Sequence, residues 1–158
     1  MIRLACPEDL PGIMSIYESA RAFMRESGNR NQWTGGYPQE SLLADDIEKG
    51  HLFVCEDEGK VYAVFACIVG EDPTYLQIDG EWISDSLYCT IHRSASDGTH
   101  KRVFKECSDF AYALTGHVRV DTHEDNKVMQ QAVLREGYKY CGVIRLENGD
   151  PRLAYELL

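Results

Sequence analysis

Positive charge is scarce in this sequence. Lys and Arg number 16 against 26 Asp and Glu, for a formal net charge of −10. That argues against a general nucleic-acid binder, which needs a basic face to neutralise phosphates. An acidic surface suits solubility and, weakly, a cationic partner such as an amine. No apolar run approaches the length of a membrane span; the longest, Val61 to Val69, suits a buried strand. No two of the cysteines at 6, 55, 67, 89, 107 and 141 stand close enough for a Cys-x-x-Cys pair. All but Cys6 fall in apolar, periodic segments and read as small core residues of a reducing compartment. Met1-Ile2-Arg3 runs straight into mixed sequence, unlike a signal peptide. The expectation is a cytoplasmic protein that binds neither nucleic acid nor membrane.

Repeats, linkers and low-complexity stretches are absent as well, and 158 residues make one ordinary domain, 1–158. Ile2 to Leu4 reads as a short strand. Leu10, Ile13, Met14, Tyr17, Ala20 and Met24 fall at helical spacing. Pro7, Glu8 and Asp9 suit that helix's first turn, and Gly28 closes it. Gly28 to Pro38 is a glycine-rich polar loop carrying Trp33 and Tyr37. A second short helix follows over Gln39 to Lys49. His51 to Glu56 and Val61 to Val69 are strands joined by an Asp-Glu-Gly turn, and the second, apolar on both faces, should be central. Glu71 to Asp85 is a long acidic loop, with an edge strand expected at Tyr75 to Ile78. Leu87 to Ser96 is a strand. Val103, Phe104, Cys107, Phe110, Ala111 and Leu114 then form the clearest apolar helical stripe. His117 to Thr122 is a strand, Lys127 to Glu136 a helix, and Tyr138 to Ile144 and Arg152 to Leu157 are the last strands. This order predicts an α+β (mixed α/β) fold, a mostly antiparallel sheet with helices on both faces.

The loop before the clearest helix reads Ser96-Asp97-Gly98-Thr99-His100-Lys101-Arg102. Cations at a helix N-terminus have the wrong sign for the macrodipole. They make sense where an anion rests on the free amides of the helix start. The alternative is that the long side chains swing into solvent. The position, after a strand and opening a helix, favours a phosphate.

Four stretches resemble the GNAT acetyltransferases: Arg3-Leu4-Ala5 with Asp9-Leu10, IHRSASDG (91–98), DTHEDNKVMQ (121–130) and Glu136-Gly137-Tyr138. The resemblance spans essentially the whole chain. It is closest to a bacterial subgroup with a loop like Gly28 to Trp33 and a tail like Asp150 to Tyr155. It implies a splayed sheet and acetyl-CoA as acetyl donor. The pantetheine arm would pair with the strand Arg93-Ser94-Ala95-Ser96. The pyrophosphate would lie near Gly98 on the amides of Thr99, His100, Lys101, Arg102, Val103 and Phe104. Asn126 matches the asparagine that starts the family's next helix. The family's phosphate loop is usually Gln/Arg-x-x-Gly-x-Gly/Ala, whereas the matching residues here are Thr99, Arg102 and Phe104. Many members also carry a tyrosine as general acid where this chain has about Val133.

Acetyl transfer to an amine needs a base for the ammonium, a polarised carbonyl and a proton for the thiolate. In family terms a backbone N–H near Ser94 polarises the carbonyl. His92, two residues earlier, is the first candidate for the base, since imidazole titrates near neutrality; a structural histidine is the alternative. His123 and Glu124, beside Asn126, are second candidates, with turn formation and helix capping as their alternative. Asp121, His123, Glu124 and Asp125 match no usual metal spacing, so no metal is expected. Trp33 and Tyr37 would wall the acceptor site, or else pin their loop to the core. Glu71, Asp72, Asp79, Glu81 and Asp85 could attract a cationic amine. The expected reaction is acetylation of a primary amine on a small molecule or peptide. A non-catalytic acyl-CoA-binding domain is the rival reading. The family also makes room for a homodimer.

Overall fold

The structure, a computed structural model, describes residues 1–158. It has a mixed α/β fold with an eight-stranded, mostly antiparallel sheet and flanking helices. The chain divides into two compact units, Met1–Cys67 with His92–Val103, and Ile68–Ile91 with Phe104–Leu158.

The first unit contains β1 (Ile2–Leu4), α1 (Leu10–Glu26), α2 (Glu40–Glu48), β2 (Leu52–Asp57) and most of β3 (Lys60–Val69). It also holds the second half of β5 (Cys89–Ser96), and its strand order is β1-β2-β3-β5. Asp57 pairs with Lys60 across a two-residue turn in which Glu58 and Gly59 have φ of +49° and +77°. The hairpin falls at the expected Asp-Glu-Gly turn, and two positive φ values make it the mirror-image kind whose twist matches the strands it joins. Burial follows the helical period of α1, where Ile13, Ile16 and Tyr17 pack with Leu43, Leu52, Val54, Val64 and Ala66. Tyr62 to Cys67 is buried without alternation, as expected of an interior strand.

The second unit has the order β5-β6-β8-β7-β4, with β4 (Asp79–Gly80), β6 (Val118–Thr122), β7 (Lys139–Arg145) and β8 (Pro151–Leu157). Its helices are α3 (Val103–Thr115, from Phe104 on) and α4 (Lys127–Arg135). β5 and β6 pair in parallel, and their register covers only Cys89↔Val118 and Thr90↔Arg119. From His92 onward β5 belongs to the first unit.

Two expectations need correction here. The edge strand is not at Tyr75 to Ile78. Pro73–Tyr75 is a 3-10 turn capped by the Asp72 carboxylate, and the strand is Asp79–Gly80. Tyr75 carries the strand-like apolar signal because it is a buried anchor, its hydroxyl donating to Asp121 at 2.6 Å. On α3, burial ends at Ala111, and Leu114 is exposed. The last turn leads only into the reversal at Gly116, so the helical period outlasts the core it serves.

Candidate functional site

β5 is not a regular strand. Arg93 has a φ of +52°, an uncommon left-handed conformation for a residue with a Cβ. Such a residue breaks the two-residue alternation and re-aims the backbone, as a bulge does. His92 and Ser94 therefore do not share a face by simple alternation. The side chains of His92, Arg93, Ser94 and Ser96 are half-buried, and Ala95 is in the core.

Arg93 is held from both ends. The Tyr17 hydroxyl donates to its carbonyl oxygen at 2.6 Å. Its guanidinium donates to Asp46 Oδ2 through Nε at 3.0 Å and Nη2 at 2.8 Å, and to the Tyr37 hydroxyl at 3.3 Å. Asp46 is buried, so removing one partner would strand the other's charge in the interior. Burial works against the Arg93 charge, but Tyr37 and Asp46 outweigh it and its pKa is raised. The resemblance assigns Arg93 to the strand that would pair with the pantetheine arm, and the sequence singles out neither Tyr17 nor Asp46 as its partners. Tyr17 looked like one more residue of the α1 stripe, and Asp46 like one more acid of a short polar helix.

The loop carrying Trp33 and Tyr37 is built from within. Arg25 donates to the carbonyls of Asn29 and Trp33, and buried Asn29 donates to Gln32 at 2.9 Å. Trp33, itself at φ +54°, meets Tyr17 edge-on at 5.6 Å and Tyr37 at 6.3 Å. Both aromatics thus pin their loop to the core while Tyr37 reaches the Arg93 guanidinium.

The segment after β5 is a turn. Asp97 accepts from the Thr99 amide at 2.9 Å and from the Thr99 hydroxyl. Partial burial opposes ionisation of Asp97, but the bonds from Thr99 outweigh it and hold its pKa below the ordinary range. The His100 ring stacks on Tyr62 at 3.6 Å, with Nε2 3.3 Å from Asp57. Gly98 takes a φ of +81° and Arg102 one of +58°. The helix begins at Val103, so the run Thr99 to Arg102 is not helical. Lys101 and Arg102 are exposed beside that helix start.

In the second unit, Asn126 caps α4 by accepting from the Met129 amide at 3.0 Å. His123 Nδ1 accepts from the Asp125 amide at 2.9 Å, which leaves the proton of a neutral ring on Nε2. The Glu124 carbonyl accepts from Gln130, and its side chain is exposed. Val133 is fully buried. Glu71 and Asp85 line a cavity of about 330 Å³ with Tyr75, Trp82, Tyr88 and Arg119. Nowhere do three or more His, Cys, Asp or Glu side chains converge as metal ligands would. No helix is long and apolar enough to cross a membrane.

No family model and no curated protein matches this chain. Solved structures do. An acetyltransferase of the GNAT family from Streptococcus agalactiae is 34% identical, with a TM-score of 0.88 over 100% of this chain and 94% of its own. A ribosomal-protein-alanine N-acetyltransferase from Brucella melitensis is 15% identical, with a TM-score of 0.60 over 100% of this chain and 99% of its own. A protein from Salmonella typhimurium, solved with its cofactor acetyl-CoA, is 12% identical, with a TM-score of 0.62 over 99% of this chain and 92% of its own. The last two share the fold. The fold is thus that of acetyltransferases. At the identity and coverage of the streptococcal structure, the chain belongs to the GNAT family of N-acetyltransferases.

Proposed function

We propose that the protein transfers an acetyl group from acetyl-CoA to a primary amine of a small molecule or peptide, with residues 1–158 acting as one catalytic domain in the cytoplasm. The observation that carries this reading is the segment from Arg93 to Arg102. A locked left-handed break in β5 is followed by two exposed cations beside a helix start. Six free cysteines suit a reducing compartment. The Salmonella neighbour contains acetyl-CoA and the Brucella neighbour is named for a peptide amine, which supports the choice of donor and acceptor.

The residues present fit the donor with one adjustment. The Thr99 amide is engaged by Asp97, so the pyrophosphate falls to Gly98, Lys101, Arg102 and the first amides of α3 from Val103 and Phe104. Arg93, Ser94, Ala95 and Ser96 would pair with the pantetheine arm, His100 would border the phosphates, and Asn126 would lie close to the donor. Acetyl-CoA supplies an activated thioester. His92 takes the proton of the acceptor's ammonium. The Ser94 N–H would be the donor for the thioester oxygen. His123 and Glu124 are the reserve bases, Trp33 and Tyr37 border the acceptor, and the proton for the thiolate would come from solvent, since buried Val133 offers no hydroxyl.

A second reading, a non-catalytic acyl-CoA-binding domain, is favoured by the Asp97 carboxylate in the phosphate loop and by buried Val133. Isothermal titration with acetyl-CoA tests both readings for binding. Replacing Lys101 and Arg102 together with Glu should raise Kd at least tenfold, about 1.4 kcal/mol. Unchanged affinity in the folded variant would sink the phosphate assignment. Free CoA released in the presence of an amine separates the enzyme from the binding domain.

A further inference from the structure

Three polar side chains of the second unit have no part in acetyl transfer as proposed. Ser86 Oγ lies 2.9 Å from His117 Nδ1, and His117 Nε2 is hydrogen-bonded to Glu156. His117 and Glu156 are both 1% exposed, whereas Ser86 is exposed and lines the 330 Å³ cavity.

The proton positions follow from the partners. Glu156 accepts from the amides of Ile83 at 2.8 Å and Ser84 at 3.3 Å, and from Cys141. Arg119 Nε stands 3.7 Å away. So many donors on one side chain suit a carboxylate, which takes the His117 Nε2–H as well. Nδ1 then faces both Ser86 Oγ at 2.9 Å and the Ser86 carbonyl oxygen at 3.2 Å, and in the neutral ring its lone pair is the acceptor for the Oγ proton. The Ser84 hydroxyl accepts from the Ser86 amide at 3.1 Å and donates to Ser86 Oγ at 2.9 Å. The Ser86 proton is then free to point at Nδ1. A hydroxyl on a base, and that base on a buried carboxylate, is the arrangement that activates a serine nucleophile.

We propose that Ser86, His117 and Glu156 form a nucleophilic relay that hydrolyses small carboxylic esters in this cavity. Ser86 Oγ bonds to the ester carbonyl carbon while its proton passes to His117 Nδ1. The resulting imidazolium is held by Glu156 at Nε2 and meets the Ser86 carbonyl, 3.2 Å from Nδ1. The ester C–O bond breaks, and the departing alkoxide takes the proton from Nδ1. Water, deprotonated by the same nitrogen, then cleaves the acyl-serine and restores the hydroxyl. Arg119 lines the cavity between Trp82 and Tyr88, at 4.0 and 4.1 Å from their ring centroids, and with its Nη2 donating to the Ser84 carbonyl at 2.6 Å it gives this wall the positive charge that favours a developing oxyanion. Glu71 and Asp85 on the same walls select neutral or cationic alcohols and disfavour anionic esters.

The test uses the full chain without acetyl-CoA. A fluorophosphonate probe, followed by peptide mapping, should modify Ser86 alone among the serines. Hydrolysis of p-nitrophenyl acetate should fall by at least about 100-fold in Ser86→Ala, a modest threshold beside the roughly 10,000-fold or greater loss seen when a triad member is removed. An unmodified Ser86 in the native protein, or Ser86→Ala hydrolysing at the parent rate, would overturn the relay. The labelling arm needs no variant, so it stands even if a substitution at buried His117 fails to fold.

Discussion

Arg93 shows how one residue can carry several levels of the argument. Its left-handed φ costs backbone energy, and the Tyr17 hydroxyl and buried Asp46 hold it in place. Lying between His92 and Ser94, it interrupts the two-residue alternation of β5. If His92 is the base, His92→Ala should lower kcat by roughly 100-fold or more and remove the acid limb of the pH–rate profile. Normal turnover with an unchanged profile would take it off the list. Asp9 makes a prediction of another kind. The Arg3 guanidinium, at 2.8 and 3.0 Å, holds its carboxyl well below the usual carboxylate range. A depressed pKa contributes stability above the unfolded value of about 3.9, and that stability is lost as pH falls below it. Asp9→Asn should therefore cost about 1–3 kcal/mol in urea unfolding at pH 7, on the scale of a charged hydrogen bond. The gap to the parent should narrow progressively below pH ~4.

At the scale of elements, the edge of the second unit rests on two glycines. Gly80 in β4 faces Gly142 in β7, and β7 bulges between Tyr140 and Gly142. A Cβ on Gly142 would come within 2.2 Å of the Asp79 carbonyl oxygen. Nothing flexible can yield there, because the obstacle is backbone. Gly142→Ala should detach β4 while leaving the β7–β8 ladder in place. Hydrogen exchange would show it as lost protection at the Glu81 amide, which donates to the Cys141 carbonyl at 3.0 Å. Retained protection at Glu81 would mean that the strands can separate enough to admit the methyl group. α3 teaches a related lesson: its periodicity marked the helix, but the number of turns that find a core was settled elsewhere.

For the molecule as a whole, the six thiols offer a simple measurement. All are free, and Cys6 alone escapes the buried class. Burial beside Glu156 pushes the Cys141 thiol up to about 11, and the Asp9 carboxylate also raises Cys6. Since the thiolate is the reactive form, native protein at pH 8 should react slowly with Ellman's reagent and at no more than one site. All six should react once it is unfolded. Rapid reaction of several thiols in the native state would contradict the burial described for them.

The sequence by itself determined the order of elements, the interior place of β3, the hairpin turn at Asp57-Glu58-Gly59 and the GNAT resemblance. These rest on local signals: period, turn chemistry and short motifs carry their meaning within about ten residues. Tertiary structure alone decided what the chemistry-bearing residues touch. Thr99 read as an amide donor at a helix start, yet Asp97 holds it. Asn126 and His123 read as site residues, and Asn126 also caps α4 while His123 accepts from the Asp125 amide in the turn before it. Tyr17, Asp46, His117 and Glu156 read as nothing in particular. Each gains its role from a partner between 31 and 76 positions away, and a side chain's meaning at that separation depends on which backbone segments the fold brings within 3 Å of it.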